Sequence, residues 1–228
     1  MEQPQKKRKL TPTPAQEVSL RKLFCGSSAE REQVISIHNP AMQERLRKLI
    51  KAKGDFEKLS SIMFSDLRHA SSEMKANPND QFWRRTAIRT LAATLDGLIF
   101  SLKQTALATG PMNDFSFNEE ELTFLSEEAT EAVSGKRPKL PGFRENLKRT
   151  IKLFSKIHKI PCPTDFNHAG FTSLCETYEL RHRLMHPKSY WTFAVSDEEK
   201  QKAAEGMHWL DVELQRLFES CGVALQNK

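Results

Sequence analysis

Apolar residues recur at helical spacing along most of the chain. The strongest run is Ile88, Leu91, Leu95, Leu98, Ile99, Leu102 and Ala106, which share one face of a helix expected from about Gln81 to Ala108 and stopped by Gly110-Pro111. Before it, Phe56, Leu59, Ile62, Met63 and Leu67 predict a helix from about Asp55 to Lys75, ended by the turn chemistry of Asn77-Pro78-Asn79-Asp80. Residues 15 to 53 are only weakly periodic and are broken at Asn39-Pro40. After the central run, Asn118 with Glu121 three positions on reads as the capped start of a short acidic helix through Val133, closed by Gly135, with a basic turn from Lys136 to Pro141. Phe143, Leu147, Ile151, Phe154 and Ile157 mark the next amphipathic helix, and Pro161-Cys162-Pro163 a loop. Phe171, Leu174, Tyr178 and Met185 line a helix that must end near His186, because Pro187 excludes the residue before it from the α region. Ser196 with Glu199 forms the capping box of a last helix, whose apolar positions Ala203, Met207, Leu210, Leu214, Leu217 and Cys221 run to Gly222. The segment Ser189 to Val195 is the one stretch that reads as extended.

No repeat of fixed period and no alternating run long enough for a sheet interrupts this pattern, so the fold class is all-α, an antiparallel helical bundle with irregular connections. The organisation expected is a disordered basic tail over 1–15, a helical extension over 16–53, the bundle over 55–221 and a short tail over 222–228. A length of 228 residues suits one domain with extensions.

Charge changes this picture little. Half of the net +6 comes from the tail, where Lys6-Lys7-Arg8-Lys9 less Glu2 leave +3; this run is read as solubilising or weakly RNA-attracting, and the folded part is only mildly basic. Apolar stretches as short as Leu98-Ile99-Phe100, which no other run exceeds, are far below the roughly 18 residues that a membrane-spanning helix needs, and the N-terminus lacks an apolar signal core. A cytoplasmic protein without membrane contact is therefore expected. Cys25, Cys162, Cys175 and Cys221 form no CxxC pair, which predicts reduced thiols and no sulfur-bound metal. Motifs for dinucleotides, nucleoside triphosphates, serine hydrolysis, zinc proteolysis and calcium are absent from the sequence, and no cofactor is expected.

The chemistry concentrates at the end of the penultimate helix, in Glu179-Leu180-Arg181-His182-Arg183-Leu184-Met185-His186-Pro187-Lys188. Arg181-His182-Arg183-Leu184-Met185-His186 resembles the signature of the HEPN (higher eukaryotes and prokaryotes nucleotide-binding) domains, an Arg and a His separated by four to six residues late in an all-α bundle. The departure is His182, where Asn or Asp is more usual. Arg31 and His38 also satisfy the spacing, but only the 181–186 pair ends a long amphipathic helix. The resemblance implies a metal-independent endoribonuclease or a protein derived from one, dimerising so that two motifs face each other, with RNA or a nucleotide as ligand and an antitoxin or other protein as a further partner.

Those residue types suit the reaction. A free imidazole titrates near pH ~6.5 and serves either a ribose 2′-hydroxyl or a leaving oxygen. Arg181 offers a planar fork of donors to phosphorane charge, which makes it the charge stabiliser and His186 the acid/base. At about 100° per residue the two project about 140° apart on an ideal helix, so His186 must leave the helix or the site must be completed from two protomers. His182 and Glu179 are orienting neighbours, Lys188 an electrostatic contact to RNA, and Tyr178 a flanking group. The alternative is a non-catalytic nucleotide-, RNA- or protein-binding module, in which the same cations only complement the helix C-terminus.

Other candidates carry less. His182 and His186 share a face at metal-binding spacing but lack a third ligand, so no metal is expected. Arg85, Arg89, Asp96 and Lys103 form one stripe on the central helix. This stripe could line an RNA groove or hold Arg181 through Asp96, or it is simply an exposed polar face, the reading favoured here. Trp83, Tyr190, Trp191 and Trp209 are expected in the core or an interface rather than as platforms for bases.

Overall fold

The computed structural model describes residues 27–126 and 141–222, with the side chain of Tyr190 excepted. The basic tail, Cys25, the expected helix beyond Ser126, the turn over 136–140 and residues 223–228 lie outside the described residues. In chain order the helices are α1 (Ser28–Ser36), α2 (Pro40–Ala76), α3 (Gln81–Thr109), α4 (Glu119–Ser126), α5 (Phe143–Ile157), α6 (Ala169–Met185), α7 (Tyr190–Phe193) and α8 (Asp197–Ser220). A 3₁₀ turn, Gly110–Asn113, follows α3. No strand occurs among the described residues, and the fold is an all-α helical bundle. No described helix is long and apolar enough to cross a membrane.

The chain divides into two compact units between Lys51 and Ala52. In the first, Ser27 and Glu30 close a capping box on α1, and Arg47 pairs with Glu32 at 3.1 Å. The expected break at Asn39-Pro40 is real: the Asn39 side chain accepts from Met42 N at 3.0 Å and Pro40 takes the first helical position, where its missing N–H costs nothing. The helix expected from Asp55 starts fifteen residues earlier, at Pro40, and runs through Gly54. Its first turns are written in strong helix formers and in pairs such as Glu44 with Lys48, rather than in an apolar stripe.

In the second unit α3 is the hub. Its seven periodic apolar residues are all buried, and it packs on α4, α5 and α6. Leu147, Ile151, Phe154 and Ile157 of α5 and Phe171 and Leu174 of α6 close over it. Each such side chain stabilises the fold by about 2 kcal/mol through removal from water. On α2 only part of the predicted stripe turns inward: Leu67 is buried, whereas Leu59 and Ile62 are exposed. Met185 is also exposed, because the final residue of α6 overhangs the bundle.

The most extensive helix contact joins α6 to α8. It is close because of Gly206: a Cβ there would sit 2.6 Å from both the Cα and the backbone N of Leu174. The expected capping boxes at Asn118 with Glu121 and at Ser196 with Glu199 are both formed. The segment expected to be extended instead folds as the single turn α7. Ser189 and Thr192 cap each other reciprocally, and an all-α bundle offers no neighbouring strand for the aromatic run to pair with.

The approach at Gly206 yields a stability prediction. Gly206→Ala drives a methyl group into rigid backbone, so it should lower stability by about 1–3 kcal/mol in urea denaturation even though alanine favours helix. An unchanged or raised midpoint would contradict this packing.

Candidate functional site at the end of helix α6

Helix α6 stops where Pro187 requires. His186 is its C-cap with φ −129° and ψ 62°, outside the helical region, and its N–H still closes on the His182 carbonyl at 3.1 Å. The backbone therefore departs from the helical path at His186. Among the described residues, no hydrogen bond or ion pair joins the His186 ring to the Arg181 guanidinium. His182, Glu179, His186 and Lys188 are all exposed.

Arg181 has partners one turn back and on α3. The Tyr178 hydroxyl donates to Asp96 Oδ1 at 2.7 Å, and Arg181 Nη1 donates to that hydroxyl at 3.3 Å. Arg181 Nη1 also lies 3.6 Å from Asp96 Oδ2. Of the two expectations for Asp96, the contact with Arg181 is therefore formed. The Tyr178 ring stacks flat on Phe143, centroids 3.9 Å apart and planes at 8°, and the His182 ring meets its edge at 6.1 Å. Burial and the donated bond to the Asp96 carboxylate push the Tyr178 phenol from its ordinary 10 up to about 12.

The Arg181–Asp96 pair is weak by construction. Its side chains are 34% and 45% exposed, and an ion pair so open to water contributes on the order of 0–1 kcal/mol. An anion that presents two oxygens to the guanidinium can exchange with Asp96 at little cost, while Tyr178 keeps the fork in place.

Beneath the helix end the arginines of α3 face protein. Arg85 lies over the Phe193 ring at 4.2 Å and Arg89 at 5.4 Å, and Arg89 Nη2 donates to the Leu184 carbonyl at 2.9 Å. Both are half-buried, and Lys103, further along the stripe, is 3% exposed above Phe124. Arg85, Arg89 and Lys103 are thus packed under α7 and α4 rather than forming the exposed polar face expected from the spacing, and of the four only Asp96 is exposed. Arg183 turns the other way, donating to Glu199 at 2.7 Å and to the Ala194 carbonyl at 3.1 Å.

Two residues that hold the site escaped the sequence reading. Buried Arg84 donates to Pro78 O at 2.7 Å, Val195 O at 2.9 Å and Asp197 Oδ1 at 2.8 Å, and so ties the start of α3 to the start of α8. Phe143 read as an ordinary core position, yet its ring is the floor for Tyr178. Neither has a local signal, since both roles depend on residues more than 30 positions away. Among the described residues no three His, Cys, Asp or Glu side chains gather as a metal site.

No family model, curated protein or solved structure matches the chain. The functional reading therefore rests on the residues themselves.

The network makes Tyr178 a reporter of Asp96. The folded chain holds the phenolic proton more tightly than an unfolded chain does, so this contribution to stability is complete below pH 10 and is lost as the pH rises towards 12. Ultraviolet titration should show one tyrosine ionising near pH 12, and Asp96→Asn should bring it down towards 10 without abolishing the shift due to burial. A titration unchanged by Asp96→Asn would contradict the network.

Proposed function

We propose that the chain is a HEPN-like, metal-independent endoribonuclease that acts as a cytoplasmic homodimer on RNA. The observation that carries this reading is the Arg181 to His186 spacing at a helix end, where Pro187 turns His186 out of the helix while Arg181 sits in a weak, exchangeable pair with Asp96. In the reaction, the 2′-hydroxyl of the substrate loses its proton and attacks the adjacent phosphorus, and the 5′-oxygen leaves with a proton. The products are a 2′,3′-cyclic phosphate and a 5′-hydroxyl end. His186 serves as the base or the acid, and Arg181 takes the charge that builds on the phosphorane oxygens. The second protomer's motif supplies the complementary proton transfer. Tyr178 positions Arg181, His182 and Glu179 flank it, and Lys188 attracts the RNA backbone. Arg85 and Arg89 support the helix end from below. An antitoxin that covers this face is the natural regulator of such an activity.

A second reading is favoured by one contact. Arg181 is already engaged by Asp96, as in a binding module that has kept the motif and exchanges the acid for a ligand phosphate without turnover.

The test is cleavage of total and structured RNA in EDTA by the wild type and by His186→Ala. The nuclease reading predicts wild-type cleavage and a loss of at least about 100-fold in the variant, with folding intact. Equal cleavage by both proteins would overturn it, and RNA binding without cleavage by either would establish the binding module.

A further inference from the structure

Helix α5 forms one wall of a cleft that the chemistry at the end of α6 does not use. The cleft has a volume of about 470 Å³ and lies between the start of α4 and the outer face of α5. Lys148, Arg149, Lys152 and Lys156 line it from α5, and Glu120 and Glu121 from α4. The cations share this face because Leu147, Ile151 and Phe154 take the buried one. Leu153 is the one apolar residue in the lining. The volume falls within the roughly 300–1,000 Å³ of small-ligand sites, but so polar a surface suits a charged group rather than an apolar ligand.

The charges in the cleft are engaged unequally. Arg149 Nη2 donates to Glu120 Oε1 at 2.7 Å while its guanidinium lies over the Phe124 ring at 4.3 Å. Lys156 Nζ donates to Glu121 Oε1 at 2.7 Å, and Glu121 Oε2 accepts the Asn118 N–H at 3.1 Å. The lysine hydrogen bond holds the Glu121 carboxyl below its ordinary range. Both α4 acids are therefore taken. Lys148 and Lys152 form no ion pair among the described residues, although Glu145, three positions before Lys148, also lines the cleft. Lys148 is half-buried and Lys152 exposed, and four residues of helix separate them by about 6 Å along the axis. Like charges at this spacing repel, and an anion placed between them removes the repulsion. Ammonium groups are rotatable point donors, which suits a tetrahedral oxyanion.

We infer that the cleft between α4 and α5 binds a phosphate group between Lys148 and Lys152. The phosphate comes from an RNA backbone or from a free nucleotide, and the inference rests on the RNA reading only for the first source. Phe143, the first residue of α5, is the floor under Tyr178, and Lys148 and Lys152 lie about 8 and 14 Å further along the helix axis. A strand of about ten nucleotides, at about 3.4 Å per stacked nucleotide, is long enough to reach both places around the helix.

The test titrates the full chain with two probes. One is a fluorescein-labelled 2′-O-methyl oligouridylate of about twelve nucleotides, which lacks the attacking hydroxyl and is not cut, and the other is uridine 5′-monophosphate. Lys148→Gln/Lys152→Gln should weaken oligomer binding about tenfold and reduce the slope of log K against log salt by about 1.4, at about 0.7 for each phosphate contact. Lys148→Arg/Lys152→Arg keeps the charges and should stay within about threefold of wild type, which separates loss of the cleft from loss of the fold. Lys58→Gln/Lys75→Gln removes the same charge from exposed positions on α2 and should leave the slope unchanged. Loss of oligomer binding alone assigns the RNA backbone, and loss of monophosphate binding assigns a free nucleotide. A cleft variant that binds both probes as the α2 control does, or a wild type that binds neither, would overturn the cleft even if the wild type cuts RNA. Cleft-dependent binding by a protein that never cuts RNA would leave the cleft standing and overturn the nuclease.

Discussion

The contact between the backbones of α6 and α8 governs where everything else at the site can lie. Gly206 lets the two helices meet at Leu174, and with any larger residue there α6 would stand off by the width of a methyl group. Tyr178 is one turn beyond Leu174, and Arg181 nearly one more. The depth of α6 therefore determines whether the Tyr178 hydroxyl reaches Asp96 on α3 at 2.7 Å or misses it. Core packing and site geometry are here the same constraint, transmitted along a single helix.

The polar groups divide by burial into two kinds of work. Arg84 is 6% exposed and spends its guanidinium on the Pro78 and Val195 carbonyls and on Asp197, so removing it would take the side-chain donor from the Pro78 carbonyl and leave Val195 O to Gln81 alone, and its role is structural. Arg181 is about one-third exposed, bonded to a neutral hydroxyl and to an acid open to water. Such a group is oriented without being consumed, which is the condition for binding a charge that arrives from outside. Arg89 lies between these limits, since its bond to the Leu184 carbonyl complements the C-terminal end of α6 and also shapes the turn that carries His186.

Much of the fold was legible because its signals are local. The seven-residue stripe of α3, the boxes at Ser196 and Asn118, and the stop at Pro187 each need only a few neighbouring residues to specify them. The first half of α2 was not legible, since helix propensity without an apolar stripe leaves no periodic mark. The segment 189–195 was misread because aromatic residues favour strands, and only the absence of a partner strand and the Ser189 to Thr192 cap decide for a turn. At the site, the spacing from Arg181 to His186 and the pairing with Asp96 could be anticipated from helical geometry. The Phe143 floor, the Arg84 clamp and the exposure of Trp191 could not, because each depends on how separate helices meet. Lys103 shows the same limit: its spacing suggested an outward stripe, but α4 folds over it.

The central claim is that the helix end carries 2′-hydroxyl transesterification. The most direct measurement uses an RNA that the wild-type protein cuts at one mapped position, with a single 2′-deoxy nucleotide placed on the 5′ side of that bond. The account predicts that the substituted bond stays intact while neighbouring susceptible bonds are still cut, because the attacking oxygen has been removed and nothing else has changed. Continued cleavage at the 2′-deoxy position would mean that water is the nucleophile and would contradict the assignment of Arg181 and His186 to this chemistry.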